Sequence, residues 1–165
     1  MNRLARIWRH LNTGSLAVRR RFPVNALAAI EAAVRDAERT AGGEIRFAVE
    51  DALPFGALWR GQSARERALE VFGELGVWDT ADNDGVLIYL LLADQDVQIV
   101  VDRGIIGVGA ADWQGCCEAM EAHFRAGRFG DGAVAGIAAV ARLLASGGNA
   151  ASRGGNELPD APTVL

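Results

Sequence analysis

Apolar positions along the chain fall into two rhythms. From Asn2 to Asn12, Leu4, Ile7, Trp8 and Leu11 recur at i, i+3, i+4, i+7, the spacing of one helix face, with Arg3, Arg6, Arg9 and His10 around it. Pro23 breaks the pattern, because the residue before a proline is pushed out of helical conformation. A second helix follows from about Asn25 to Thr40, with Leu27, Ile30, Val34, Ala37 and Ala41 as its inner stripe and Gly42-Gly43 as its stop. The period then changes to two. Glu44 to Glu50, EIRFAVE, sets Ile45, Phe47 and Val49 against Glu44, Arg46, Ala48 and Glu50, a strand with one face more buried than the other. Asp51 to Gln62 reads as a loop whose Phe55 and Trp59 either pin it to the core or form a binding lip. Ser63-Ala-Arg-Glu66 is a capping box that opens a helix to Leu75, with Leu69, Phe72 and Leu75 facing inward and Gly76 as its cap.

Gly85 to Ala93 is apolar on both faces, as a central strand is. Val97 to Asp102 is a second β-rich run, and the turn Ala93-Asp-Gln-Asp96 makes the two an antiparallel hairpin. Two helices follow. Trp113, Cys117, Met120 and Phe124 stripe the first, with Glu121 and Arg125 paired outside. The second runs from Asp131, its expected N-cap, to about Ala145 and is apolar nearly all round. The order is α-β-α-β-β-α-α. A strand–helix–strand unit crosses over right-handed and leaves its strands parallel, so the expected fold is a small mixed sheet covered by helices. Three regions result: a basic amphipathic arm over 1–21, a domain over 22–145, and a Gly/Ser-rich tail over 146–165 that includes Asn156-Glu-Leu-Pro-Asp160.

Charge sharpens the contrast between arm and domain. Residues 1–23 hold Arg3, Arg6, Arg9, Arg19, Arg20 and Arg21 and no acid, while the remaining 11 basic residues face all 21 acids, a net of −10. An acidic body argues against nucleic acid as a partner. A short basic helix carrying a tryptophan suits anionic headgroups or a protein partner, so Arg3, Arg6, Trp8 and Arg9 are the candidate contact residues. No apolar run reaches the roughly 18–20 residues of a membrane span, and no secretion signal is evident. The expectation is a cytoplasmic protein, peripheral at the inner membrane face, with an unidentified protein partner. Cys116 and Cys117 are adjacent in sequence, where neighbours rarely bridge.

The acids sort by topology. The strands starting at Glu44 and Gly85 are parallel, and the hairpin returns the chain at Asp102, so Glu44, Asp82, Asp84 and Asp102 converge on one sheet edge. Asp94 and Asp96 lie at the far end, where aspartates serve turns by bonding nearby amides. Clustered carboxylates repel unless a proton or cation joins them, and hard oxygen ligands suit Ca²⁺ or Mg²⁺. Glu44, Asp82, Asp84 and Asp102 are therefore the candidate metal ligands, the alternative being a solvated acidic rim. An EF-hand is excluded: aligned on Gly85, its last ligand position is Leu91 where glutamate is required. His10 and His123 stand isolated, and neither a phosphate loop nor a nucleophile elbow is present, so no catalytic residue is assigned.

Gly43-Glu-Ile45, Asp84-Gly-Val-Leu-Ile88, Asp102-Arg-Gly-Ile105 and Phe124-Arg-Ala-Gly-Arg-Phe-Gly-Asp-Gly132, in that order and spacing, resemble the successive blocks of the TPM domain family, which includes thylakoid acid-phosphatase-like and many bacterial proteins. The tail resembles that of a short soluble bacterial branch. The resemblance implies a Rossmann-like, three-layer α/β/α sandwich, weak binding of a divalent cation, and for some members a phosphatase activity. Relatives often carry Asn where this chain has Asp84, and many carry an arginine in the turn that here reads Ala93-Asp-Gln-Asp96. A phosphatase needs positive charge beside the phosphate. The expectation is thus an accessory domain that binds a cation weakly and contacts a partner or membrane surface, ahead of a metal-dependent acid phosphatase on phosphate monoesters.

Overall fold

A computed structural model describes residues 3–148 and 155–165. The Asn2 end of the expected first helix and residues 149–154 of the expected tail lie outside them. Along the described residues run α1 (Arg3–Leu11), α2 (Ser15–Arg21), α3 (Val24–Ala41), β1 (Glu44–Glu50), α4 (Phe55–Arg60), α5 (Ala64–Glu74), β2 (Gly85–Leu91), β3 (Asp96–Val101), α6 (Ala110–Arg125), α7 (Phe129–Ser146) and β4 (Thr163–Val164). The sheet order is β3-β2-β1-β4. β1 is parallel to β2, Glu44 opposite Gly85 and Glu50 opposite Leu91. β2 is antiparallel to β3, Val86 opposite Val101 and Leu91 opposite Asp96.

Strand alternation separates two cores. Ile45, Phe47, Val49, Val86, Ile88, Leu90, Val97 and Ile99 face α3, α6 and α7. Ala48, Leu87, Tyr89, Leu91 and Val100 face α4, α5 and Leu158. This is the three-layer α/β/α sandwich. β2 is buried along its whole length, which is why its sequence is apolar at consecutive positions. β1 is buried on both faces as well, with only Arg46 half-buried, because helices cover each side and residues from the chain's end cross its outer edge. Cys116 and Cys117 are buried, unbonded residues of α6.

Several elements depart from the sequence pattern. α2 is an additional helix, held by Val18 and Phe22, with the Phe22 ring edge-on to Phe129 at 5.8 Å. The expected loop over 51–62 contains α4, too short to show a period; it buries Ala57 and Leu58 and exposes Phe55 and Trp59. α5 starts at the expected capping box but buries Ala64, Ala68 and Val71, leaving Leu69 half exposed. The alanines let α5 lie close to the sheet, where Arg65 donates to the Ile99 carbonyl at 2.6 Å and Arg67 to Glu50 at 2.9 Å. α7 begins at Phe129, so Asp131 sits in its first turn. By length and composition α7 is apolar enough to cross a membrane; in the fold it buries Gly132, Ala133, Gly136, Ile137, Val140 and Leu144 in the core.

The expected tail becomes part of the sheet. β4 adds to β1 in parallel, Thr163 opposite Ala48, and the Leu165 amide donates to the Val49 carbonyl at 2.9 Å. Arg46 donates to Thr163 Oγ1 at 2.6 Å, to the Ala161 carbonyl at 3.2 Å, and to the Pro159 carbonyl.

Candidate functional site

The parallel start of β1 and β2 puts three of the four candidate acids side by side. The Glu44 amide donates to the Asp84 carbonyl at 3.2 Å, and the Asp102 amide to the Gly85 carbonyl at 2.9 Å. Asp82 lies two residues before Asp84 and is exposed. Two chain segments cross tightly here. The Gly104 amide donates to the Asn83 carbonyl at 2.8 Å, and a Cβ on Gly104 would stand 2.3 Å from the Asp82 carbonyl oxygen and 2.4 Å from that of Asn83. Asn83 takes a left-handed φ of 53°, which asparagine tolerates, and accepts from Arg103 Nε at 3.2 Å.

The acids at this edge have different neighbours. Asp84 is 7% exposed, and its Oδ1 is buried without a hydrogen-bond partner; so is Oδ2 of Asp102, whose Oδ1 accepts from the Arg103 amide at 2.7 Å. Glu44 is 2% exposed, but its Oε2 accepts from the Glu157 and Leu158 amides, each at 3.0 Å. Burial pushes the Glu44 carboxyl above the usual range, Asp84 and Glu157 add to this, and the two amides oppose it. Glu44 thus anchors the chain's end to the sheet. Glu38, which the sequence pattern did not single out, lies nearby and accepts from the Ile45 amide at 2.8 Å. Burial pushes its carboxyl up to about 8, against that amide, with the negative charges of Glu44 and Asp160 adding.

Among the described residues, no three His, Cys, Asp or Glu side chains gather to hold a metal ion. The edge offers two carboxylate oxygens that nothing else satisfies. Buried acceptors without partners are costly, and an oxygen-seeking cation is one way to satisfy them. Two carboxylate oxygens are hard donors of the kind Ca²⁺ or Mg²⁺ takes, and they are fewer side-chain ligands than a tight site uses.

The far end is built differently from the turn chemistry expected there. Asp94 Oδ2 accepts from Arg6 Nε at 2.8 Å, and its Oδ1 pairs with Arg9 and lies 3.1 Å from His10 Nε2. His10 is 3% exposed, and its Nδ1 accepts the Leu53 amide at 3.0 Å, so the proton of the neutral ring sits on Nε2, facing Asp94. Burial pushes the Asp94 carboxyl up, but the contacts from His10, Arg6 and Arg9 override it and hold it well below the carboxylate range. Of the four candidate contact residues, Arg6 and Arg9 therefore turn inward, while Arg3 and Trp8 are exposed. Arg3 lies over the Trp59 ring, 5.3 Å from its centre. Beside this cluster, Glu50 is 6% exposed and takes the Tyr89 hydroxyl at 2.6 Å and Arg67 Nε at 2.9 Å. The isolated His10 of the sequence and these paired residues carry no local signal, because their partners lie up to 88 positions away.

The fold agrees with that of a solved structure. The NMR structure of the BA42 protein from the psychrophilic bacterium Bizionia argentinensis is similar, with a TM-score of 0.74 and 29% identity over 87% of this chain and 95% of that one. No curated protein matches. A family model described as the TPM domain matches residues 22–143, which takes in the acidic edge and leaves out α1 and the strand β4. With that match spanning most of its length, the chain belongs to the TPM domain family.

Proposed function

We propose that this TPM domain is a non-catalytic accessory domain that binds Ca²⁺ or Mg²⁺ weakly at the Asp84–Asp102 edge and works through a partner or a membrane surface. One observation carries the cation part: two buried carboxylate oxygens, Asp84 Oδ1 and Asp102 Oδ2, lack hydrogen-bond partners at the same end of the sheet. Asp82, exposed beside them, adds negative charge, and Glu44 couples the edge to the chain's end through the Glu157 and Leu158 amides. Turnover has less support. Phosphoryl transfer wants a positive clamp and a nucleophile held in fixed geometry. The arginine at this edge, Arg103, donates its Nε to Asn83.

Titration with Ca²⁺ and Mg²⁺, followed by backbone amide NMR shifts, tests the reading. Saturable shifts are expected at Asp84, Gly85, Asp102 and Gly104, in the millimolar range of weakly liganded sites, and should vanish in Asp84→Asn and Asp102→Asn. Hydrolysis of a phosphate monoester should stay at background with and without metal. Metal-dependent hydrolysis lost in a folded Asp84→Ala would establish the phosphatase instead. No shift at millimolar metal would sink the cation part.

A further inference from the structure

Helix α1 turns Arg6, Ile7, Arg9 and His10 toward the domain and Leu4, Trp8 and Leu11 to solvent. Arg6, Arg9 and His10 close on Asp94, and Ile7 packs against the inner core. Leu4, Trp8 and Leu11 are 71%, 70% and 66% exposed. Their i, i+4, i+7 spacing makes one continuous stripe. The neighbouring α4 does the same: it buries Ala57 and Leu58 and exposes Phe55 and Trp59, whose rings stack at 6.0 Å. Arg3, lying over Trp59, joins the two helices. Large apolar side chains gathered on one face mark a contact surface more often than an ordinary exterior.

Charge identifies what the face meets. α1 and α4 carry Arg3, Arg6, Arg9 and Arg60 and no acid; Arg6 and Arg9 pair with Asp94, and Arg3 and Arg60 are exposed beside the apolar side chains. The protein as a whole is net negative. Two copies meeting symmetrically through this face would oppose arginine to arginine. An anionic bilayer offers both an apolar layer for Leu, Trp and Phe and negative headgroups for the exposed Arg3 and Arg60 beside them. We propose that Leu4, Trp8 and Leu11 of α1, with Phe55 and Trp59 of α4, form a docking face for an anionic lipid surface. The Asp94 cluster holds α1 with this stripe already outward, so docking needs no folding of the helix at the membrane. The face sharpens the surface-contact part of the proposed function. It lies at the opposite end of β2 from the acidic edge, so its test and the cation titration fail independently.

The full-length protein is co-sedimented with vesicles of phosphatidylglycerol and phosphatidylcholine at low salt, and with phosphatidylcholine alone. Binding to the anionic vesicles is expected, weaker by about tenfold on the neutral ones and reduced by salt. The exposed double variants Trp8→Ser/Leu11→Ser and Phe55→Ser/Trp59→Ser, checked for fold by circular dichroism, should each weaken it by about tenfold or more. Brominated phosphatidylglycerol should quench tryptophan emission of the unaltered protein, independently of any variant. The proposal is overturned by absence of binding to anionic vesicles, by binding that the variants leave intact, by absence of quenching, or by a wild-type dimer in sedimentation velocity that the same variants dissolve.

Discussion

Glu38 sits in the last turn of α3 beside Asp160, with its carboxyl at about 8 against an ordinary 4.5. The fold prefers its protonated form, so between those values the folded chain keeps a proton that the unfolded chain has released. Stability then falls as pH rises through that window. After allowance for solvent screening, the loss is expected to be on the order of 2 kcal/mol. Urea unfolding at both ends of the window should show it in the wild type and show it largely gone in Glu38→Gln, whose amide oxygen still accepts the Ile45 amide. An unchanged slope in that variant would assign the effect elsewhere. Asp94 has the opposite sense: its carboxylate is the form the fold prefers. Asp94→Asn leaves Arg6 and Arg9 without their counter-charge, a change expected to cost about 2 kcal/mol because the pairs are only partly buried. Hydrogen exchange should locate the loss in residues 3–12 and leave the sheet protected.

Among the elements, α5 and β4 show where sequence patterns stop. The capping box of α5 forms as written: Ser63 Oγ accepts the Glu66 amide at 3.1 Å, and Glu66 takes the Ser63 amide at 2.7 Å. All its partners lie within three residues. The buried face of α5 is not local, since an apolar stripe through Leu69, Phe72 and Leu75 and one through Ala64, Ala68 and Val71 fit the same helix. Packing buries the second fully, because small side chains bring the helix to the sheet, and keeps Phe72 and Leu75 partly buried at its margin while Leu69 is half exposed. β4 had no pattern to announce it, because two residues make no period and the segment before it is Gly- and Asn-rich. Its hold comes from Arg46, Glu44 and the burial of Leu158, which is 7% exposed. Leu158→Ala is therefore expected to destabilise the protein by about 2 kcal/mol, read by chemical unfolding. The same change should raise hydrogen exchange at Val164 and Leu165, and unaltered exchange there would mean that β4 stands without the Leu158 contact.

At the scale of the molecule, β2 separates two charged ends. The acidic edge sits at its start and the Asp94 cluster beyond its finish, about 20 Å apart at roughly 3.3 Å per residue. Sites that far apart with no shared partner behave additively within about 0.5 kcal/mol. Asp84→Asn combined with Asp94→Asn should therefore give the sum of the single effects, and neither should alter the other's reporter: metal-induced shifts at Gly85, or exchange protection in α1. Coupling between them would require a rigid path through the sheet, and a double-mutant cycle would reveal it.

The sequence by itself determined what depends on near neighbours and on chain handedness. Alternation set β1, a continuous apolar run set β2, a right-handed crossover made the two parallel, and the hairpin brought Asp102 back beside Glu44 and Asp84. The acidic edge follows from those steps alone. Only the tertiary structure decided how each charge is used. Glu44 clamps a segment more than a hundred residues away, and Asp94 draws in Arg6, Arg9 and His10 from the chain's start. The reason is energetic competition. α1 could have buried its whole apolar stripe, but pairing with the partly buried Asp94 claimed its basic side, so Ile7 packs inward while Leu4, Trp8 and Leu11 were left facing out.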